Sequence, residues 1–132
     1  MTLSRSHPQS KLMKRFAALG PYLREGQCQD NHFFFDCLAV CIDAGLAPEK
    51  REFWGWWIEL EAKDNVFIYS YRLGIFDRGG GWKTETINQL QVQEKLETTL
   101  HDFYKRLHAL LGLMALRLEP AKDFNGRPMP ND

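Results

Sequence analysis

The feature that most limits what this chain can fold into is a pair of long alternating runs separated by three polar residues. Glu52 to Ala62 places Trp54, Trp56, Ile58 and Leu60 on one side, and Phe53, Trp57, Glu59 and Glu61 on the other. Val66 to Phe76 puts Phe67, Tyr69, Tyr71, Leu73 and Ile75 at alternate positions, with Ser70 and Arg72 between them. A period of two is a strand signal, because successive side chains on an extended backbone point to opposite faces. Lys63-Asp64-Asn65 has turn chemistry. Strands joined by so short a turn pair antiparallel, so the centre of the chain is predicted to be a long hairpin.

The flanking segments complete a fold class. Phe33 to Ile42 is apolar at odd and even positions alike, which reads as a central strand covered on both faces. Upstream, Ser6, Pro8 and Gln9 form a capped helix entry. Leu12, Phe16 and Leu19 then recur at helical spacing, widened by Met13 and Ala17, until Gly20-Pro21 stops the helix. Lys11, Lys14 and Arg15 occupy the opposite side. Asp43 to Pro48 is a loop, and so is Asp77 to Gly81, which Trp82 follows. From Asn88 to Met114, Leu96, Leu100, Phe103, Leu107, Leu111 and Met114 make the stripe of a long amphipathic helix. Ala115 to Leu118 is expected to add a short edge strand. The strands cluster in the middle and do not alternate with helices. The predicted fold is therefore α+β: an antiparallel sheet flanked by an N-terminal helix and a long C-terminal helix. One domain is expected over residues 1–118. Residues 119–132, with three prolines, are expected to form a polar, frayed tail.

The totals narrow the classes of function. At 132 residues the chain is one domain's worth, and 44% apolar content supports a single core without staples. Seventeen basic residues balance seventeen acidic ones. A neutral total gives no general attraction to nucleic acid or to an anionic membrane. The start lacks the apolar segment of a signal peptide, and no apolar run is long enough to span a bilayer. With three cysteines, an odd number, the expectation is reduced thiols in a cytoplasmic protein.

No catalytic or cofactor signature stands up. Gly79-Gly80-Gly81 followed by Trp-Lys-Thr is neither a phosphate-binding loop nor a dinucleotide fingerprint. His101 and His108 share a heptad spacing, but no acid or cysteine beside them makes a zinc motif, so the histidines read as surface or boundary residues. Cys37 and Cys41 fall on one face of a strand, yet about 13 Å apart at strand rise, too far to bond or share a metal. They read as buried inert thiols, and Cys28 as the most exposed cysteine. Glu59 and Glu61 share a face, most simply a solvated one. No enzyme activity, no cofactor and no metal are expected.

Attention therefore turns to Arg51-Glu52-Phe53-Trp54-Gly55-Trp56-Trp57. Three tryptophans and a phenylalanine in five residues exceed what one sheet face can bury. Either both faces are covered or some rings remain accessible, and Trp, Tyr and Arg are the residues that dominate binding hot spots. Trp54 and Trp57 read as core. For Arg51, Phe53 and Trp56 the pattern leaves core and binding surface both open.

This run, together with Leu19-Gly-Pro-Tyr22-Leu-Arg-Glu-Gly26 and Phe33-Phe-Phe-Asp36-Cys-Leu-Ala-Val-Cys41, resembles the Crl family of bacterial sigma factor-binding proteins. The similarity extends from Thr2-Leu3 to Leu118-Glu119-Pro120-Ala121 and includes Phe76-Asp77 and Trp82-Lys83. The resemblance implies binding to the stationary-phase sigma factor, sigma S (RpoS). It also implies promotion of its association with core RNA polymerase, and activation of transcription without conventional DNA binding. It further implies a partner-binding surface drawn from Tyr22, Asp36, Arg51, Phe53, Trp56 and Trp82. Arg51 would pair with an acid on the sigma factor, Phe53 and Trp56 would supply contact area, and Tyr22 and Trp82 would wall a cleft. Asp36, an acid inside an apolar strand, is expected to orient a neighbouring basic side chain, since burying it unpaired is costly. The 43–50 loop, the Gly79–Gly81 run and the tail after Ala121 differ from the family in detail. A monomer is expected.

Two other classes remain open on the residues alone. Rings on an antiparallel sheet can serve as stacking platforms for single-stranded nucleic acid, although the neutral charge and the lack of interleaved Lys or Arg count against it. A tryptophan-lined small-molecule pocket is the third, without any catalytic constellation to support it.

Overall fold

The computed structural model describes residues 9–122. Helix α1 spans Gln9–Ala17, strand β1 His32–Cys41, β2 Glu52–Lys63, β3 Val66–Asp77, β4 Gly81–Thr84, helix α2 Leu90–Leu113, and β5 Arg117–Pro120. Single 3-10 turns occur at Glu25–Gln27 and Pro48–Lys50. The expected helix entry at Ser6 and Pro8 lies outside the described residues, as does the tail from residue 123.

The β2–β3 hairpin forms as the alternation dictates, with an unbroken antiparallel register from Glu52↔Asp77 to Lys63↔Val66. Asp64 closes the turn with φ of 56°, a left-handed conformation that Asp tolerates. The strand order is β1-β2-β3-β4, all antiparallel. The far end of β3 also pairs with β5, in parallel, which makes the sheet mixed. β5 runs past Leu118 to Pro120, and the Ala121 amide donates to the Tyr69 carbonyl at 2.9 Å.

Both helices pack on one face of this sheet. Paired residues across antiparallel strands share a face. The register therefore groups Phe33, Phe35, Trp56, Ile58, Leu60, Ala62, Phe67 and Tyr69 as the inner face, and all are buried. Against them α2 presents Val92, Leu96, Leu100, Phe103, Tyr104, Leu107 and Leu111. α1 presents Leu12 and Phe16. The Phe16 ring meets Phe33 and Phe35 edge-on at 5.0 and 5.4 Å. Burying side chains of this size contributes about 1.5–3 kcal/mol each, so this inner layer is the main source of stability. Among the described residues no helix is long and apolar enough to cross a membrane.

Two expectations need correction, and one further strand is added. β1 is an edge strand, not a central one. Its outer-face residues Phe34 and Asp36 are buried all the same, and residues 22–24 pair with its free edge. There, Asp36 donates its amide to the Tyr22 carbonyl, and Arg24 donates to the Phe34 carbonyl, both at 2.9 Å. Next, the register of β1 slips between Leu38 and Val40. Cys37 pairs with Trp56 but Cys41 pairs with Phe53, so the two cysteines lie on opposite faces. Finally, the segment after the glycine run is strand β4, which pairs Trp82 with Phe76.

Candidate functional site

Among the described residues no helix packs on the outer face of the sheet. Its residues are Phe34, Asp36 and Leu38 of β1; Phe53, Gly55, Trp57 and Glu59 of β2; Arg72, Gly74 and Phe76 of β3; and Trp82 of β4. Trp82 organises this face. Its indole lies 4.9 Å from the Trp57 ring system and 5.3 Å from Phe76. It reaches across the sheet until Nε1 donates to Asp36 Oδ2 at 2.9 Å.

That reach depends on Gly55. A Cβ built there would sit 2.7 Å from Cη2 of Trp82 and 2.0 Å from the Cys37 carbonyl oxygen. Glycine inside a strand marks such a close approach. Asp36 is only 4% exposed, and its other carboxylate oxygen accepts from Nε of Arg24. The buried acid thus has a cation and an indole as partners, as an acid inside an apolar strand requires. The network ties together the N-terminal segment, β1 and β4, three elements far apart in sequence.

The six residues implied by the resemblance do not form one cleft. Asp36, Phe53 and Trp82 share the outer face. Trp56 is fully buried on the inner face, where it stacks on Phe103 at 5.5 Å and donates Nε1 to Thr99 Oγ1 at 3.0 Å. Tyr22 packs beside it, 5.7 Å from Trp56 and 5.0 Å from Phe103. Tyr22 and Trp82 are therefore on opposite sides of the sheet and cannot wall the same cleft. Trp56 offers no accessible area, whereas Trp57, read as core, is half-buried on the outer face. Strand parity separates the two tryptophans; which face the helices cover is not written in the strand.

Arg51 stands at the base of the 43–50 loop. Nε donates to the Leu46 carbonyl at 2.9 Å and Nη2 to that of Ala44 at 3.0 Å. It braces the loop and keeps N–H groups to spare. Among the described residues, three of the five exposed large apolar side chains, Leu38, Ile42 and Leu46, fall between the bulge in β1 and this brace. Leu38 shares the outer face with half-exposed Phe53, Trp57, Phe76 and Trp82, and this set of rings and aliphatic surface has the make-up of a protein-docking surface. The sequence reading put Trp57 in the core and did not single out Phe76, Arg24 or Leu38 as site residues. Gly55 within a tryptophan run and Asp36 within an apolar run were the signals for them.

Among the described residues the other titratable groups show no reactive arrangement. The Cys28 thiol is half-buried, donates to the Arg24 carbonyl and accepts the Phe34 amide, and burial pushes its pKa up. Cys37 and Cys41 are half-buried as well, so they are not the fully buried thiols expected and Cys28 does not stand out as the exposed one. Burial, then the Asp36 charge, raises that of Cys37. Thiols so raised are not nucleophiles at neutral pH. Glu59 faces His32 at 3.4 Å. Among the described residues no group of three His, Cys, Asp or Glu side chains is placed to hold a metal ion.

Comparison with known proteins agrees with the resemblance read from the residues. Residues 1–128 match the family described as "Sigma factor-binding transcriptional regulator Crl". A "Sigma factor-binding protein Crl" of Photobacterium profundum is 48% identical over 100 residues, covering 76% of this chain and 74% of that protein. The protein of that name from Vibrio cholerae is 41% identical over 97 residues, 74% of each chain. That from Vibrio vulnificus is 43% identical over 94 residues, 70% of this chain and 73% of its own. The chain belongs to the Crl family of sigma factor-binding transcriptional regulators.

Proposed function

We propose that the protein binds sigma S and favours its association with core RNA polymerase, raising transcription of sigma S-dependent genes in the cytoplasm. It acts as a monomer, without catalysis and without reading DNA sequence. The observation that carries this reading is the juxtaposition on the open sheet face of half-exposed Phe53, Trp57, Phe76 and Trp82 with the exposed Leu38, next to the 43–50 loop that Arg51 braces. Phe53 and Trp57 supply contact area. Trp82 and Asp36 fix the shape of the face from β4 and β1. Arg51 holds the loop in place and offers its remaining donors to an acid on the sigma factor. Trp56 and Tyr22 act from behind, as the packed support of β2.

The mechanism is a shift of population. A protein that prefers the state of sigma competent for assembly stabilises that state by its difference in affinity, commonly about 1–3 kcal/mol. That size suits an assembly factor better than an on/off switch. The test is holoenzyme formation at limiting sigma S, with and without the protein, with the housekeeping sigma factor in parallel. A several-fold gain for sigma S alone is expected. No gain with either sigma factor would refute the assembly role.

A further inference from the structure

A second surface lies on the helix layer, away from the open sheet face. α1 contains no acidic residue, and Lys11, Lys14 and Arg15 are all exposed on it. Between the end of α1 and the last turns of α2 runs a groove of about 380 Å³ lined by Lys14, Arg15, Ala18, Leu19 and Leu110. Arg106 closes one side by donating Nη1 to the Leu19 carbonyl at 3.4 Å. One turn beyond Leu110, Leu113 is 87% exposed, the highest value among the exposed large apolar side chains described. Among the described residues, none of Lys11, Lys14, Arg15 and Arg106 has an ion-pair partner. On α2, Asp102 stands one helical turn before Arg106, and no ion pair between the two is found among the described residues.

A floor of aliphatic side chains rimmed by unpaired cations fits one kind of occupant. We infer that this groove docks an acidic segment of a partner protein that inserts a leucine-like side chain between Leu19 and Leu110. Nucleic acid satisfies the rim but not the floor, since the groove has no aromatic ring on which a base could stack. The inference stands apart from the sigma-binding reading and does not depend on it.

The test is a titration of the full 15N-labelled chain, followed by amide shifts. The probe is a synthetic acidic peptide of roughly three helical turns, with leucines on one face and glutamates on the other. Expected are shifts confined to residues 11–19 and 106–113, with affinity about tenfold weaker in K14E/R15E and at raised salt. The L113S variant alters a side chain already in solvent, so it leaves the fold intact and is also expected to weaken binding. A Leu→Ser version of the peptide with unchanged charge should bind poorly. No localised shifts, or equal binding by the serine peptide or by a single-stranded oligonucleotide, would overturn the inference. Binding unchanged in both variants would do so too, as would salt-sensitive self-association accounting for the shifts.

Discussion

Trp82 and Asp36 are joined across the open face of the sheet: the indole Nε1 of β4 donates to a carboxylate oxygen of β1 at 2.9 Å, over two intervening strands. The bond orients one of the two tryptophans on that face and fills a position on a carboxylate that Arg24 also contacts. Trp82→Phe keeps the ring but drops the donor, and is expected to cost about 1 kcal/mol. Trp82→Ala also removes the contacts with Trp57 and Phe76, and is expected to cost about 2 kcal/mol or more. Asp36→Asn keeps the shape while removing the charge that Arg24 faces. It should cost about 1–3 kcal/mol and weaken sigma binding. Urea unfolding checks the order. An Asp36→Asn variant that folds and binds like wild type would remove Asp36 from the site.

Gly55 lets the indole lie flat on β2. With backbone 2.0 Å and ring carbon 2.7 Å from an added Cβ, Gly55→Ala has no small adjustment open to it. It is expected to destabilise by about 3 kcal/mol or more. Gly112→Ala, where an added Cβ meets nothing within 4 Å, should be neutral or stabilising by about 0.5–1 kcal/mol. Thermal unfolding of the two variants distinguishes a glycine required by packing from one that is not.

The end of α2 holds a correctable strain. Leu116 donates to the Leu111 carbonyl at 2.8 Å and Ala115 to that of Gly112 at 3.1 Å, the paired bonds of a Schellman stop. The donor of the second bond, Ala115, sits just past the helix cap at φ of 60°, a position that favours glycine. The left-handed conformation costs alanine about 1–2 kcal/mol, against about 0.4–1 kcal/mol that glycine adds to unfolded-chain entropy. Ala115→Gly should therefore gain about 0.5–1 kcal/mol and raise Tm by a few degrees. A fall in Tm would show that the strain is absent.

Tyr104 is buried beside Tyr69, ring centroids 5.5 Å apart, and desolvation together with that neighbour pushes its pKa up to about 12. The folded protein holds this proton more tightly than the unfolded chain, whose tyrosine titrates near 10. Its contribution is complete below that value. As pH rises through the interval to about 12, the unfolded state loses its proton first, so stability falls. Tyr104→Phe should flatten this alkaline limb of the stability curve. An unchanged limb would assign it to other groups.

The strands and helices were legible because they rest on short-range periodicity. The β2–β3 register, the α2 stripe and the stop at Gly20-Pro21 all follow from residues within a few positions of one another. What was not legible needed information from across the sheet. Trp56 and Trp57 have equal claims to the core until it is known which face the helices cover. One slip between Leu38 and Val40 sends Cys41 to the face opposite Cys37, and nothing in an apolar run announces it. β4 is four residues after a glycine turn, too short to show a period. For the site, Asp36 and Trp82 were identified but their bond was not, since it links positions 46 residues apart.

The most direct test is a calorimetric titration of the protein with purified sigma S and, in parallel, with the housekeeping sigma factor, repeated with R51A, F53A, W57A and W56F. Selective binding to sigma S is expected. It should weaken by about 2 kcal/mol in R51A, F53A and W57A while these variants stay folded. W56F should lower stability more than affinity, because Trp56 lies wholly inside the helix-covered core. No binding to sigma S, or full affinity in all three outer-face variants, would contradict the assignment of the open sheet face.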